Sequence, residues 1–393
     1  MTSARVVHLI TKLELGGAQR NTLLTVERLP RHGFDAQIWY GPGGILTPLA
    51  EALPGHREIP CLQRQIHPRH DRKALSALEA QLRTLRPDIL HTHSSKAGFL
   101  GRMAASRCAI PVVIHSVHGF PFSPLQSFAR RRLFMLAEKL AARWTSHFVF
   151  VSRSDQQTAI RLGLCRHNHS LIRSGFDLLD YRPRPELRKS ARRRFSLPEN
   201  AFVIGIVAPF KPQKGLFQLI KVAKKVHAKD PKAIFFLAGD GALRPQLEAA
   251  IHRAGLDAQF RLPGFLNDLP EIMDAFDVGL STALWEGLPQ SLVQLRLKQI
   301  PIVASLIPGN NEVVRNNENG FLVSPHSTEA FAHGILTLMN DPSLRKRMGH
   351  APEDFTDWDA ERMVNNQASL YARLLSGNSA AAMMPDFPSS VVP

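Results

Sequence analysis

Several stretches place charged or flexible residues where short apolar runs end. "VAPFKPQKGL" sets Lys211 and Lys214 in a loop ahead of Gly215 and a helical pattern. Two cations at a helix start suit a diphosphate, because free N–H groups and the helix dipole favour an anion there. "STALWEGLPQSLVQLR" follows an apolar run with Glu286, Gly287, Leu288 and Pro289, and Pro289 suits the first position of the next helix. Free amides at that helix start could meet the same diphosphate. A carboxylate beside an anion does not help to bind it, but it accepts well from sugar hydroxyls, and this is the chemistry expected of Glu286. Gln294 lies about one and a half turns into the helix, within reach of the same pocket. Its amide can both donate to and accept from a ribose diol.

Glycine pairs mark two further strand ends. Gly16 and Gly17 in "ITKLELGGAQRN" let the backbone approach a ligand, and Gly239 and Gly241 in "LAGDGALRPQL" allow a flat or phosphate group to pack on backbone. A plain turn between strand and helix uses glycine pairs as well. The second stretch is not a G-x-G-x-x-G fingerprint, so it carries little nicotinamide-cofactor signal. His93 and His118 each end an apolar run and lack metal-ligand spacing. "CRHNH", with Cys165, His167 and His169, has no fourth ligand nearby, and "DWD" at Asp357–Asp359 suits a helix cap better than a metal. No metal site and no cofactor are expected.

The elements that must position these residues form a repeating pattern. "RVVHLI", "FDAQIWY", "PDILHTH", "PVVIHSVH", "SHFVFVS" and "HSLIRSGFD" read as strands separated by loops or amphipathic segments. "YRPRPELRKSARRRFSLPEN" breaks the pattern and reads as an interdomain linker with an exposed basic helix. Alternation restarts with "AFVIGIVAPF" and runs through "AIFFLAGDG", "AQFRLPGF", "FDVGLST", "IPIVAS" and "NGFLVS". The fold class is therefore α/β, with two doubly wound halves across a cleft, and the candidate residues fall at strand carboxyl ends, where such sheets bind ligands. The domains are expected at residues 1–183 and 184–354, with a helix near 355–374 packing back on the first and a disordered tail at 375–393.

Composition fits this organisation. A chain of 393 residues is long for one core, and 44% hydrophobic with 21% charged residues argues against overall disorder. Lysine and arginine outnumber acids by 49 to 33, giving a net charge of +16, which attracts phosphorylated molecules, anionic lipid or nucleic acid. "FARRRLFMLAEKLAARW", residues 128–144, reads equally as a helix on an anionic membrane or as a packed helix with a solvated basic face. Three scattered cysteines fit a reducing compartment, and the first residues lack a signal-peptide pattern.

Taken together, "HTHSSKAGFLGR", "VHGFPF", "APFKPQK", "AGDG" and "EGLPQSLVQ", in this order, resemble the family 4 glycosyltransferases of the GT-B fold, nearest to capsule and exopolysaccharide enzymes. The resemblance spans about Val6 to Val323. It implies two Rossmann-like domains, the first on the acceptor side and the second holding a nucleotide-sugar donor, retention of anomeric configuration and no essential metal. Carried over by position, it implies that His118 bonds the donor sugar and Lys214 neutralises the diphosphate, with Lys211 beside it. It places Glu286 and Glu312, in "PGNNEVV", on the sugar, Gly16 and Gly17 at the donor phosphate or acceptor edge, and His93 on the acceptor side. Gly239 and the Gly287–Pro289 turn belong to the donor site. The implied partners are a nucleotide sugar, a lipid-linked or glycan acceptor and an anionic membrane surface, not nucleic acid. The implied location is the cytoplasm, on the inner face of the plasma membrane. Two positions depart from the family. Pro209 stands for an arginine, and Gln294 for the second glutamate of an E-x7-E pair that grips ribose. A nucleotide-sugar epimerase and a non-catalytic binding homologue are the alternatives.

Overall fold

A computed structural model describes residues 3–122, 126–266 and 268–377. The tail expected to be disordered lies, from residue 378 onward, outside the described residues. The first domain holds β1 (Ala4–Ile10), β2 (Phe34–Tyr40), β3 (Arg57–Glu58), β4 (Ile89–His93), β5 (Val112–Val117), β6 (His147–Phe150) and β7 (His169–Leu171). They form one parallel sheet in the order β3-β2-β1-β4-β5-β6-β7. The second domain holds β8 (Phe202–Val207), β9 (Ala233–Ala238), β10 (Phe260–Gly264), β11 (Val278–Ser281), β12 (Ile302–Ser305) and β13 (Gly320–Val323). Its order is β10-β9-β8-β11-β12-β13, again parallel throughout.

Both sheets are covered on both faces, which is why their strands read as unbroken apolar runs. Within β1, Val6 and Ile10 join one core cluster and Val7 and Leu9 another. In β9, Phe235 and Leu237 face one side and Ile234 and Phe236 the other. Strand order reverses between β1 and β4 and again between β8 and β11, and the loops leaving those strands carry the candidate residues.

The chain crosses between domains twice. The helix Ala360–Leu375, capped by Asp359, returns to the first domain and buries Met363, Val364 and Tyr371 in its core. One sequence expectation is corrected in part here. The basic helix Arg188–Arg194 exposes Lys189, Ser190, Arg193 and Arg194 as expected, but Arg192 is buried and pairs with Asp277 at 2.8 Å while donating to the carbonyls of Glu199, Ala201 and Ala275. Both terminal nitrogens of this guanidinium are satisfied, which makes its burial tolerable, while Nε has no partner among the described residues.

The helix Phe128–Ala142 behaves differently. Only Glu138 and Ala141 are buried, and Glu138 pairs with the buried Arg102 at 2.8 Å. Phe128, Leu133, Leu136 and Leu140 are exposed beside the exposed Arg130, Arg131 and Arg132. No described helix is long and apolar enough to cross a membrane.

Candidate active site

On the second domain, the loop leaving β8 makes a single 3₁₀ turn, Pro212–Lys214, and ends at Gly215 with φ 62°. A Cβ there would lie 2.1 Å from the Thr282 carbonyl oxygen, so only glycine lets this loop lie against the end of β11. That packing pairs Lys214 Nζ with Glu286 Oε1, the side chains being only 16% and 8% exposed. Gln213 Nε2 donates to the Trp285 carbonyl at 2.8 Å and to Glu286 Oε2 at 3.3 Å. The amides of Leu216 and Phe217, which open the helix Leu216–His227, have no backbone partner among the described residues. Gly239, φ 146°, serves a close backbone approach, since a Cβ would lie 2.0 Å from the Ala208 carbonyl oxygen.

The "EGLP" turn differs from its sequence reading by one residue. Pro289 is the N-cap and the helix runs Gln290–Leu297. Gln290 N–H donates to the Leu288 carbonyl, and Leu292 and Val293 N–H to that of Pro289, so within the first turn only the Ser291 amide has no backbone partner among the described residues. This helix start offers one amide, not the open set a diphosphate would need. Leu288 anchors the turn in the second-domain core. Gln294 is half-buried and its side chain makes no hydrogen bond among the described residues.

The first domain faces this turn closely. A Cβ on Gly287 would sit 2.9 Å from both the His118 carbonyl oxygen and Asp155 Oδ2. A Cβ on Gly17 would overlap the Gln290 side chain at 2.1 Å, and Gln290 Nε2 donates to Ser174 Oγ at 2.9 Å. Gly16 has φ −177°, extended backbone open to any residue, so Gly17 is the member of the pair that the close approach requires. Lys211 Nζ bridges the domains to Glu14 at 3.1 Å.

Two assignments shift. The family resemblance implies a sugar ligand at Glu312. Its Oε2 instead accepts from Arg153 N–H at 3.0 Å and Arg173 Nη1 at 2.5 Å, and its Oε1 from Ser154 N–H at 2.9 Å. Both oxygens are thus spent on the first domain, where they cap the helix Arg153–Arg161. The resemblance implies an acceptor-side role for His93. It is buried behind His118, with one ring nitrogen 3.1 Å from His118 Nε2 and the other 3.0 Å from His8 Nδ1. Burial pushes the His118 imidazole down to about 4 and holds His93 well below its ordinary value, so both are neutral at pH 7.

Sequence reasoning missed Asp155, Gln290, Arg173 and Ser174. Asp155 had a signal, the S-x-x-D spacing from Ser152, whose Oγ donates to Asp155 Oδ2 at 2.8 Å and accepts from its N–H at 3.2 Å. Burial pushes this carboxyl up to about 6, against the Ser152 hydrogen bond. Sequence spacing also gave no sign that His8, His91 and His93 converge. Among the described residues they are the group whose possible metal-ligating atoms lie close together, all within 4.8 Å of one another.

Comparison with known proteins settles the class. Residues 16–175 match the glycosyl transferase 4-like domain and residues 188–354 the group 1 glycosyl transferases. An Escherichia coli protein, UDP-Gal:alpha-D-GlcNAc-diphosphoundecaprenol alpha-1,3-galactosyltransferase, is 30% identical over 344 residues, 86% of this chain and 89% of its own. The chain is a glycosyltransferase related to family 4. Another relative of this glycosyltransferase is the Bacillus subtilis putative glycosyltransferase EpsD, 26% identical over 75% of the chain and 79% of its own. The crystal structure of Anabaena HepE in complex with UDP-glucose superposes with a TM-score of 0.80 at 22% identity, covering 94% of this chain and 99% of that one. The paired sheets and intervening cleft are the GT-B fold. In the cleft of this glycosyltransferase Lys214 and Glu286 pair between the β8 and β11 loops, just before a helix whose first two amides have no backbone partner among the described residues, opposite a neutral histidine.

Proposed function

We propose that this glycosyltransferase moves a sugar, with retention of configuration, from a nucleotide diphosphate to a lipid-linked or polysaccharide acceptor in cell-surface polysaccharide synthesis. The observation that carries the reading is the Lys214–Glu286 pair beside the free amides of Leu216 and Phe217, at the point where the strand order reverses. An arriving diphosphate takes over Lys214 and the two amides. Glu286 is then released to accept from hydroxyls of the transferred sugar. As the bond to the anomeric carbon breaks, charge grows on the departing phosphate, and the lysine stabilises it most at that moment. The acceptor hydroxyl passes its proton to the leaving phosphate oxygen. Neutral His118 bonds the donor sugar from the opposite wall.

The names of the relatives support the substrate class: the Escherichia coli enzyme takes UDP-galactose and a diphosphoundecaprenol-linked acceptor. Such an acceptor lies in a membrane. The exposed leucines and arginines of the helix Phe128–Ala142 fit an anionic surface, with leucine entering the acyl boundary and arginine meeting headgroups. We therefore place the enzyme on the inner face of the plasma membrane.

A panel of UDP-, GDP- and dTDP-sugars, with and without a polyprenyl-diphosphate-linked sugar, tests the proposal. One donor should release nucleoside diphosphate and transfer its sugar only when acceptor is present, with EDTA leaving the rate unchanged. Sugar isomerised without acceptor would indicate an epimerase. Binding without turnover across the panel would indicate a non-catalytic homologue.

A further inference from the structure

A line of hydrogen bonds runs through the first domain from a backbone carbonyl to the cleft. Thr25 Oγ1 donates to the Asn21 carbonyl at 2.8 Å. Its single proton is thereby used, so it can only accept from Gln367 Nε2, at 3.5 Å. That fixes the Gln367 amide with Oε1 toward Tyr371, whose hydroxyl donates to it at 3.2 Å. The Tyr371 oxygen, its proton spent, accepts from His91 Nδ1 at 2.5 Å and from His8 Nε2 at 3.3 Å. A neutral imidazole carries one proton, so His8 Nδ1 accepts from His93 Nε2 at 3.0 Å, and His93 Nδ1 accepts from His118 Nε2 at 3.1 Å. His91 closes its branch by accepting at Nε2 from Ser116 Oγ, 2.8 Å away. Every donor along this path meets one acceptor, and the polarity is set at the first step, where the Thr25 hydroxyl lies 2.8 Å from the Asn21 carbonyl oxygen and 3.5 Å from the Gln367 amide.

We propose that this one-way chain locks His118 in the Nε2–H tautomer and presents its bare Nδ1 to the cleft as a hydrogen-bond acceptor. His93, His8, Tyr371 and Gln367 are then positioning residues for the transfer reaction. The inference rests on the reading that His118 meets a sugar hydroxyl. His118 Nδ1 has no partner among the described residues and is not among the buried, unpartnered polar atoms, so it is free to accept. Burial keeps the histidines of the chain uncharged, with His8 pushed down to about 3. The last helix thus does more than cover the sheet: its Gln367 and Tyr371 set the polarity of a ring that lies across the domain.

Histidine ring ¹⁵N spectra of the whole protein at pH 7, with His118 identified by the signals lost in His118→Gln, test this directly. In the native protein His118 should show a protonated Nε2 and an unprotonated Nδ1. Gln367→Leu removes the acceptor that sets the direction and should give mixed or reversed His118 tautomers, with kcat/KM for the nucleotide sugar down about tenfold, the worth of one hydrogen bond. Gln367→Glu keeps an acceptor there and should keep both the spectrum and the rate near native. One equivalent of Zn²⁺ should leave the spectrum unchanged, because the ring nitrogens of His8 and His93 are committed to the chain. Overturning results are a protonated Nδ1 in native His118, uptake of zinc by His8, His91 and His93, or a Gln367→Leu protein that loses thermal stability with the tautomer unchanged. The spectra need no substrate, so a protein with the predicted tautomer that transfers no sugar would sink the transferase reading and leave the chain standing.

Discussion

Glu312→Gln should loosen the domain contact. The carboxylate accepts two backbone N–H bonds at the start of the helix Arg153–Arg161 and pairs with Arg173 across the cleft, at 12% and 10% side-chain exposure. Breaking a buried pair typically costs roughly 3–5 kcal/mol, because the remaining charge stays desolvated. Glutamine retains one acceptor, and Arg173 keeps the Val151 carbonyl at 3.3 Å and the Trp358 ring at 5.1 Å. The lower end, about 3 kcal/mol, is therefore expected, equal to a roughly hundredfold shift toward separated domains. The other interdomain ion pair among the described residues, Lys211–Glu14, has both side chains about a third exposed and contributes at most about 1 kcal/mol, so it cannot compensate. Small-angle scattering should show a larger radius of gyration. A double-mutant cycle with Arg173→Met should give a coupling above about 1 kcal/mol. Unchanged scattering together with additive stabilities would refute the clasp.

Further outcomes follow from single side chains. Gln294→Glu should tighten donor binding with little change in kcat, because a carboxylate accepts from both hydroxyls of a diol and ribose contacts are alike in ground and transition states; a large rise in kcat would move this position toward the reacting centre. Replacing Arg130, Arg131 and Arg132 by Gln should weaken sedimentation with anionic vesicles, each charge being worth about 1 kcal/mol near such a surface, and unchanged binding at low salt would remove the membrane role of this helix. Asp155 has a folded pKa raised to about 6 from 3.8, so its protonated form is favoured by folding. Its contribution is complete below about pH 4 and is lost as pH rises through about 6, up to roughly 3 kcal/mol in all. The melting temperature of Asp155→Asn relative to native should therefore climb between those values and level above them, and parallel profiles would contradict the assignment.

Much of the fold was legible because buried parallel strands are short apolar runs between loop signals, and "RVVHLI" or "AIFFLAGDG" can be little else. The two-residue β3 was not, since Arg57 and Glu58 are exposed and carry no apolar pattern. Lys214 and Glu286 were legible as cation and carboxylate at strand ends. Their partners were not, because Glu312 meets Arg173 and Tyr371 meets His91 through folding, 139 and 280 residues apart. The same holds for Arg192, where composition suggested solvent and Asp277 supplied burial. Local pattern reports which face a side chain prefers, while the group waiting on that face is a property of the packed chain.

The central claim is that Lys214 stabilises a diphosphate leaving group. Single-turnover transfer from the active nucleotide sugar, measured for native protein and Lys214→Ala with donor binding followed separately, tests it most directly. The account predicts a fall of about 10²-fold or more in the transfer rate, exceeding any loss of donor affinity, since the lysine acts most strongly on charge formed in the transition state. A folded Lys214→Ala protein that transfers sugar at the native rate would contradict it.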